Sequence, residues 1–230
     1  MKLADRLSPN SDSRGPAPID MLVLHYTGMQ SGEAALARMC DPAAKVSAHY
    51  MIDEDGTVYA LVPEEMRAWH AGVSYWAGAR DINARSIGIE LVNPGHEFGY
   101  RPFPPAQIGA LIELANAILA RHPIPAWRVL GHSDVAPMRK DDPGELFPWK
   151  ELAEGGIGLW PGENADPGEA KVAGLLAHYG YDPEAPLEKT ITAFQRHFRP
   201  TRVTGMADAE TRMLLAGLIA LYDARKGKAR

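Results

Sequence analysis

The stretch "GHSDVAPMRKDDPG", residues 131–144, sets a histidine, a lysine and three aspartates between two glycines, with Pro137 and Pro143 stiffening the backbone. Imidazole and carboxylate are the donors of a hydrolytic zinc centre, which typically takes three protein ligands and keeps a fourth position open. His132 follows the run "WRVLG", and Asp134, Asp141 and Asp142 are the oxygen donors of the same loop. Asp134 lies two residues beyond His132 and Asp142 ten, far enough for the chain to turn back, with Pro143 and Gly144 shaping the reversal. Asp142 is therefore favoured over Asp141, although any single aspartate in such a loop is equally explained as a turn cap. A second imidazole, His25, ends the run "MLVLH", where a strand gives way to "YTGM", and strand ends of this kind commonly floor a site. About a hundred residues separate His25 from His132, so the two meet only if their strands are neighbours in one sheet.

Glu90 interrupts the run "SIGIELVN", in which Ile87, Ile89 and Leu91 face one side of a strand and Gly88, Glu90 and Val92 the other. A carboxylate on a central strand is costly to bury unless it is paired, bound to metal or set beside a reacting water, and burial raises its pKa toward the range of a general base. On an edge strand it would simply face solvent. A serine triad within "GHSDV" is excluded. Adjacent His132, Ser133 and Asp134 cannot all turn onto one another, and Val135 stands where a G-x-S-x-G elbow needs glycine. Neither an H-E-x-x-H zinc helix nor a G-x-x-x-x-G-K-[ST] phosphate loop occurs.

The elements that must hold these residues are legible as hydrophobic patterns. Short apolar or β-branched runs over 21–26, 48–52, 58–61, 86–92 and 128–130, bounded by Gly, Pro, Asn or Asp, predict five strands. Between the last two, "PPAQIGALIELANAILARHP" repeats Ile108, Leu111, Ile112, Ala115, Ile118 and Leu119 at helical spacing until Pro123 ends the run. With a second helix over 32–39, the expected class is α/β, a mixed central sheet with helices on its faces. After Trp160, the segment "PGENADPGEA" is too polar and too rich in Pro and Gly for a core element. Beyond it, "KVAGLLAHYG", "LEKTITAFQRHF" and "AETRMLLAGLIALY", the last capped by Asp208, predict three helices. The expected organisation is a catalytic domain over 1–160, a linker over 161–168 and a small all-α domain over 169–230, with the basic tail "ARKGKAR" frayed.

With 230 residues, 46% hydrophobic and 23% charged, the chain can bury one good core and a small second one. A formal net charge of -5 leaves no broad basic surface, so nucleic acid is not an expected partner. The single cysteine, Cys40, excludes an intrachain disulfide and a zinc site built on several thiolates, so any metal must sit on His, Asp or Glu. Asp5 and Arg6 interrupt the apolar run that an export signal needs, and no run approaches the roughly 18 apolar residues of a membrane span. A cytoplasmic location is expected, with a periplasmic or outer-membrane-associated one as the alternative; oligomeric state is not legible.

Taken together, "LVLHYTGM", "VSAHYMIDEDGTVYALV", "AWHAGVSYW", "SIGIELVNPG" and "GHSDVAPMRKDDPGELFPW" resemble, in order and spacing, the zinc-dependent N-acetylmuramoyl-L-alanine amidases related to peptidoglycan recognition proteins. The resemblance covers about 19–149. It implies one Zn2+ held by His25, His132 and Asp142, with Glu90 as the catalytic glutamate, Lys140 as a second catalytic group, and Trp69 and His70 lining the substrate groove. His49 matches a family position and reads as structural, whereas His96, His122, His178 and His197 match none and read as surface or helix-packing residues. The implied reaction is hydrolysis of the amide between the muramoyl lactyl group and L-alanine, in polymeric peptidoglycan or in anhydro-muropeptides. The segment "ITAFQRHFRPTRVTGMADAETRMLL" is similar to a three-helix peptidoglycan-binding module, the alternative being an appendage that only stabilises the catalytic domain. Recognition of peptidoglycan without cleavage is the competing class of function. A zinc peptidase or deacetylase would share the metal chemistry but not the "AWHAG" and "SIGIELVNPG" matches.

Overall fold

The structure, a computed structural model, describes residues 2–228. In chain order its strands are β1 (Lys2–Asp5), β2 (Ser11–Ser13), β3 (Met21–Tyr26), β4 (Tyr50–Ile52), β5 (Thr57–Ala60), β6 (Met66–Ala68), β7 (Ser86–Leu91) and β8 (Val129–Gly131). The α-helices are α1 (Gly32–Cys40), α2 (Ile82–Arg85), α3 (Gly95–Phe98), α4 (Pro105–Arg121), α5 (His132–Val135), α6 (Trp149–Glu154), α7 (Val172–Tyr179), α8 (Leu187–Phe198) and α9 (Ala209–Lys228). Six strands form one sheet in the order β1-β5-β4-β7-β3-β8, and β2 pairs with β6 in a small ribbon. Within the large sheet only the β4–β5 pair is antiparallel. The five predicted strands all lie in this sheet.

A parallel sheet exposes two apolar faces and needs a layer on each. On one face Leu22, Leu24, Ile87, Ile89, Leu91 and Val129 pack against Ile108, Leu111, Leu114, Ala115 and Ile118 of α4. Each such aliphatic side chain removed from water stabilises the fold by about 1.5–3 kcal/mol. Gln107, also buried, ties the helix to the strands by donating from Nε2 to the carbonyls of Ile52 (2.9 Å) and Val92 (3.0 Å).

The opposite face of the sheet meets the C-terminal segment. Met21, Val23, Leu130 and Val135 share one buried cluster with Leu176, Tyr179, Ile191, Phe194, Phe198, Leu215 and Leu218 of α7, α8 and α9. The three C-terminal helices thus share a buried cluster with this face of the sheet, and α8 packs on α5. The segment after Trp160 is laid along α9: Asn164 N–H donates to the Met213 carbonyl at 3.1 Å, and Arg212 pairs with Asp166 at 2.6 Å. Gly217 is required there, because a Cβ would lie 1.7 Å from the Gly162 oxygen.

Three strands escaped the sequence reading. Exposed β1 adds to the edge beside β5, where neither face is apolar enough to show a pattern, and β2 and β6 are only three residues long each. The tail expected to fray is helical through Lys228, with Lys226 donating to the Tyr222 hydroxyl at 2.7 Å; Ala229 and Arg230 lie outside the described residues. No helix among the described residues is long and apolar enough to cross a membrane.

Candidate metal centre

His25 and Glu90 are brought together by strand register. β3 and β7 run parallel with His25 opposite Glu90, so both side chains leave the same face, the one turned away from α4. β8 flanks β3 on its other side, with Gly131 opposite Leu24, and delivers His132 at the first residue of α5. Sequence separation is bridged by sheet adjacency.

The loop then returns Asp142 to the same place. Ser133 N–H donates to the Asp142 carbonyl at 2.9 Å, which pins the returning strand of the loop to the start of α5. Tyr100 donates its hydroxyl hydrogen to the Pro143 carbonyl at 2.7 Å and accepts the Leu146 N–H at 2.9 Å. Gly144 has φ +84°, and a Cβ there would fall 2.3 Å from the Tyr100 oxygen, so only glycine lets the chain pass.

His25, His132 and Asp142 are exposed by 1%, 3% and 5%. His25 Nδ1 lies 2.9 Å from His132 Nδ1, and each of these nitrogens lies 3.0 Å from Asp142 Oδ2. Protons cannot account for this triangle. If both nitrogens donated to the carboxylate, two N–H groups would face each other at 2.9 Å. A cation shared by three lone pairs removes the conflict, and two imidazoles with one carboxylate suit zinc, whose ligand bonds of about 2.0–2.2 Å bring donor atoms this close together. These residues form the one group of three potential ligands with this geometry among the described residues.

The other two aspartates of the loop are differently employed. Asp134 accepts the Gly131 N–H at 2.7 Å, the Tyr181 hydroxyl at 2.7 Å and His197 Nδ1 at 2.7 Å, the last two coming from the C-terminal helical layer. Asp141, 51% exposed, pairs with Arg196 at 3.0 Å.

Charge and burial set the protonation of the group. Burial pushes His25 down to about 4, with His132 adding to the effect and Asp142 opposing it, so His25 is neutral as a ligand must be. Burial would raise Asp142, but His132 and His25 beside it more than offset this and hold the carboxyl well below its ordinary range. Glu90 goes the other way: burial, then the Asp142 charge, raise it well above the usual carboxylate range against the pull of Lys140. Its Oε2 is buried without a hydrogen-bond partner. It borders a cavity of about 60 Å³ whose other walls include Thr27, Met29, Ala35 and Met39. Lys140 is half-buried on the same loop as Asp142, and its charge acts on both His25 and Glu90.

Of the two residues expected in a substrate groove, His70 is buried and Trp69 half-buried. His70 is 5% exposed, and its ring lies behind His25 with both nitrogens engaged inside the protein. The Trp69 backbone N–H donates to the Ser47 hydroxyl at 2.9 Å. His49 is fully buried and accepts the Gly88 N–H on Nδ1 at 2.9 Å, a structural position. Sequence reasoning gave no role to Ser86, Ala71 or Asn83, whose contacts behind the histidines are side-chain and carbonyl hydrogen bonds without periodicity.

The family model for N-acetylmuramoyl-L-alanine amidase matches residues 15–145. The chain is 42% identical to the N-acetylmuramoyl-L-alanine amidase AmiD of Escherichia coli K12, over 89% of this chain and 83% of that protein. A structure of E. coli AmiD in complex with anhydro-N-acetylmuramic acid-L-Ala-D-gamma-Glu-L-Lys superposes with a TM-score of 0.80 over 92% of this chain and 93% of that one, at 41% identity. AmpDh3 of Pseudomonas aeruginosa, in complex with an anhydromuramic pentapeptide, superposes with a TM-score of 0.81 over 90% and 94%, at 36% identity. The 1,6-anhydro-N-acetylmuramyl-L-alanine amidase AmpD of Haemophilus influenzae is 35% identical over 62% of this chain and 86% of its own length.

Proposed function

The chain belongs to the N-acetylmuramoyl-L-alanine amidase family, and from that premise we propose that it hydrolyses the amide between the muramoyl lactyl carbonyl and L-alanine, using one zinc ion held by His25, His132 and Asp142. The observation that carries the reading is the triangle of donor atoms 2.9–3.0 Å apart, beside half-buried Glu90 with its Oε2 buried and unpartnered. A divalent ion bound there supplies Lewis acidity, polarising the scissile carbonyl and bringing the ionisation of water toward neutral pH. Glu90, kept basic by burial, takes the proton of the attacking water and hands it to the departing L-alanine nitrogen. Lys140 places an ammonium charge where it balances the oxyanion, a contribution on the order of 3 kcal/mol. The anhydro-muramic peptides bound in the AmiD and AmpDh3 structures support soluble anhydro-muropeptides as the substrate class.

Incubation with an anhydro-muropeptide, read by mass spectrometry, tests this. The expected products are the anhydro sugar with a free lactyl carboxylate and a peptide beginning with L-alanine. A chelator should abolish the reaction and zinc restore it. A zinc-loaded protein that binds the muropeptide and leaves it intact would replace hydrolysis by recognition.

A further inference from the structure

The proton positions behind His25 can be read from one end of a row of buried groups. The Ile82 carbonyl can only accept, so the Ser86 hydroxyl, 2.7 Å away, gives its hydrogen there. Ser86 Oγ then offers a lone pair to His70 Nε2 at 3.0 Å, and that nitrogen carries the hydrogen. His70 Nδ1 is left bare and faces His25 Nε2 at 3.0 Å, so His25 holds its hydrogen on Nε2. His25 Nδ1 is consequently a free lone pair, and it is the atom that meets His132 and Asp142.

We propose that His70, its own tautomer locked by Ser86 and the Ile82 carbonyl, is a positioning residue that imposes the Nε2–H tautomer on His25 and aims Nδ1 at the metal position. The inference rests on the metal reading above and adds to it the group that orients one ligand. Partners of this kind fix tautomer and ring orientation and are worth about 10–100-fold in metal affinity.

The backbone is shaped around this ring. Gly88 of β7 lies opposite Val23, and a Cβ on it would fall 2.5 Å from His70 Cγ and 2.6 Å from its Nδ1. Glycine weakens a strand interior; here its missing side chain is the space the imidazole fills. The ring meets His25 edge-on, centroids 5.0 Å apart at 83°. Asn83 Oδ1 accepts the N–H groups of His70 (3.1 Å) and Ala71 (2.7 Å), fixing the segment. The next carbonyl along, Ala71 O, takes the Nε2–H of His132 at 3.0 Å, which leaves His132 Nδ1 free in the same sense. Two consecutive residues of "AWHAG" therefore set the tautomers of both histidines.

The test compares wild type with His70→Asn, His70→Leu and Ser86→Ala. Asparagine can put an amide oxygen near the place of Nδ1, whereas leucine fills the volume with no acceptor. Zinc affinity, measured against a chromophoric chelator, should fall about 10–100-fold in His70→Leu and recover in His70→Asn. Long-range 15N–1H spectra of the metal-free protein should show His25 as Nε2–H in wild type and His70→Asn, and a tautomer mixture in His70→Leu. Should His70→Leu fail to fold, Ser86→Ala carries the test, with a mixed His70 tautomer and a smaller loss of affinity expected. Unchanged zinc affinity with His25 still Nε2–H in a folded His70→Leu overturns the proposal, as do unchanged tautomers in Ser86→Ala. A wild type that binds no zinc yet shows the Nε2–H tautomer would defeat the metal reading and leave the tautomer relay standing.

Discussion

Glu90 holds a carboxyl oxygen in the protein interior with no hydrogen bond to satisfy it, beside the negative charge of Asp142. Such a group is tolerated where a reaction uses it. Because its pKa is raised on folding, its charged form costs stability once pH exceeds the ordinary carboxylate value. In Glu90→Gln, zinc content should match wild type, turnover should fall by about 10²–10⁴, and the metal-free protein should melt no lower at neutral pH. Metal analysis, single-turnover assays and calorimetry check the three. Near-normal turnover would remove Glu90 as the base. The two neighbouring aspartates offer a sharper contrast. Asp142→Asn should lose zinc and activity together. Asp141→Asn breaks only the half-exposed pair with Arg196 and should keep both, at a cost of about 0–1 kcal/mol in a denaturant melt.

At the scale of elements, the site is made by two facts of pairing: β3 lies between β7 and β8, and the β3–β7 register sets His25 against Glu90. Hydrophobic period and turn residues made β3, β4, β5, β7, β8 and α4 legible, as where Leu22, Leu24, Ile87, Ile89 and Leu91 alternate with residues of the other face. They said nothing of strand order, because every apolar strand satisfies the same pattern beside any neighbour. A half-buried network between elements carries a pH dependence. Burial would raise Glu64, but hydrogen bonds from Arg121, His122 and Tyr50 overcome it and hold the carboxyl at about 2. Its stabilisation is present above the unfolded value near 4.5 and lost as pH falls through about 2. The difference in melting temperature between wild type and Glu64→Gln should therefore be largest near neutral pH and shrink between about pH 5 and pH 2. A difference that is flat across that range would show that the network does not couple to folding.

For the molecule as a whole, α7, α8 and α9 share a buried cluster with Met21, Val23, Leu130 and Val135, and Tyr181 after α7 and His197 of α8 hold Asp134, two residues from His132. A chain ending at residue 160 would expose that sheet face and free Asp134 from two of its partners. It should show no cooperative melt, bind hydrophobic dye and take up zinc weakly or not at all. A truncated chain that melts cooperatively and binds zinc with full affinity would show that the helices are dispensable and return the division into separate domains.

The sequence by itself determined the donor chemistry, two imidazoles and a carboxylate with a carboxyl on a buried strand, and the class of elements that carry them. It determined these because residue type and local periodicity are properties of short stretches. Only the tertiary structure decided that β7, β3 and β8 lie side by side, that the C-terminal helices join the buried cluster on the second face of the sheet, and that His70 stands behind His25. Those outcomes depend on which apolar face meets which and on where a single hydrogen must sit, and both are fixed by contacts between residues far apart along the chain.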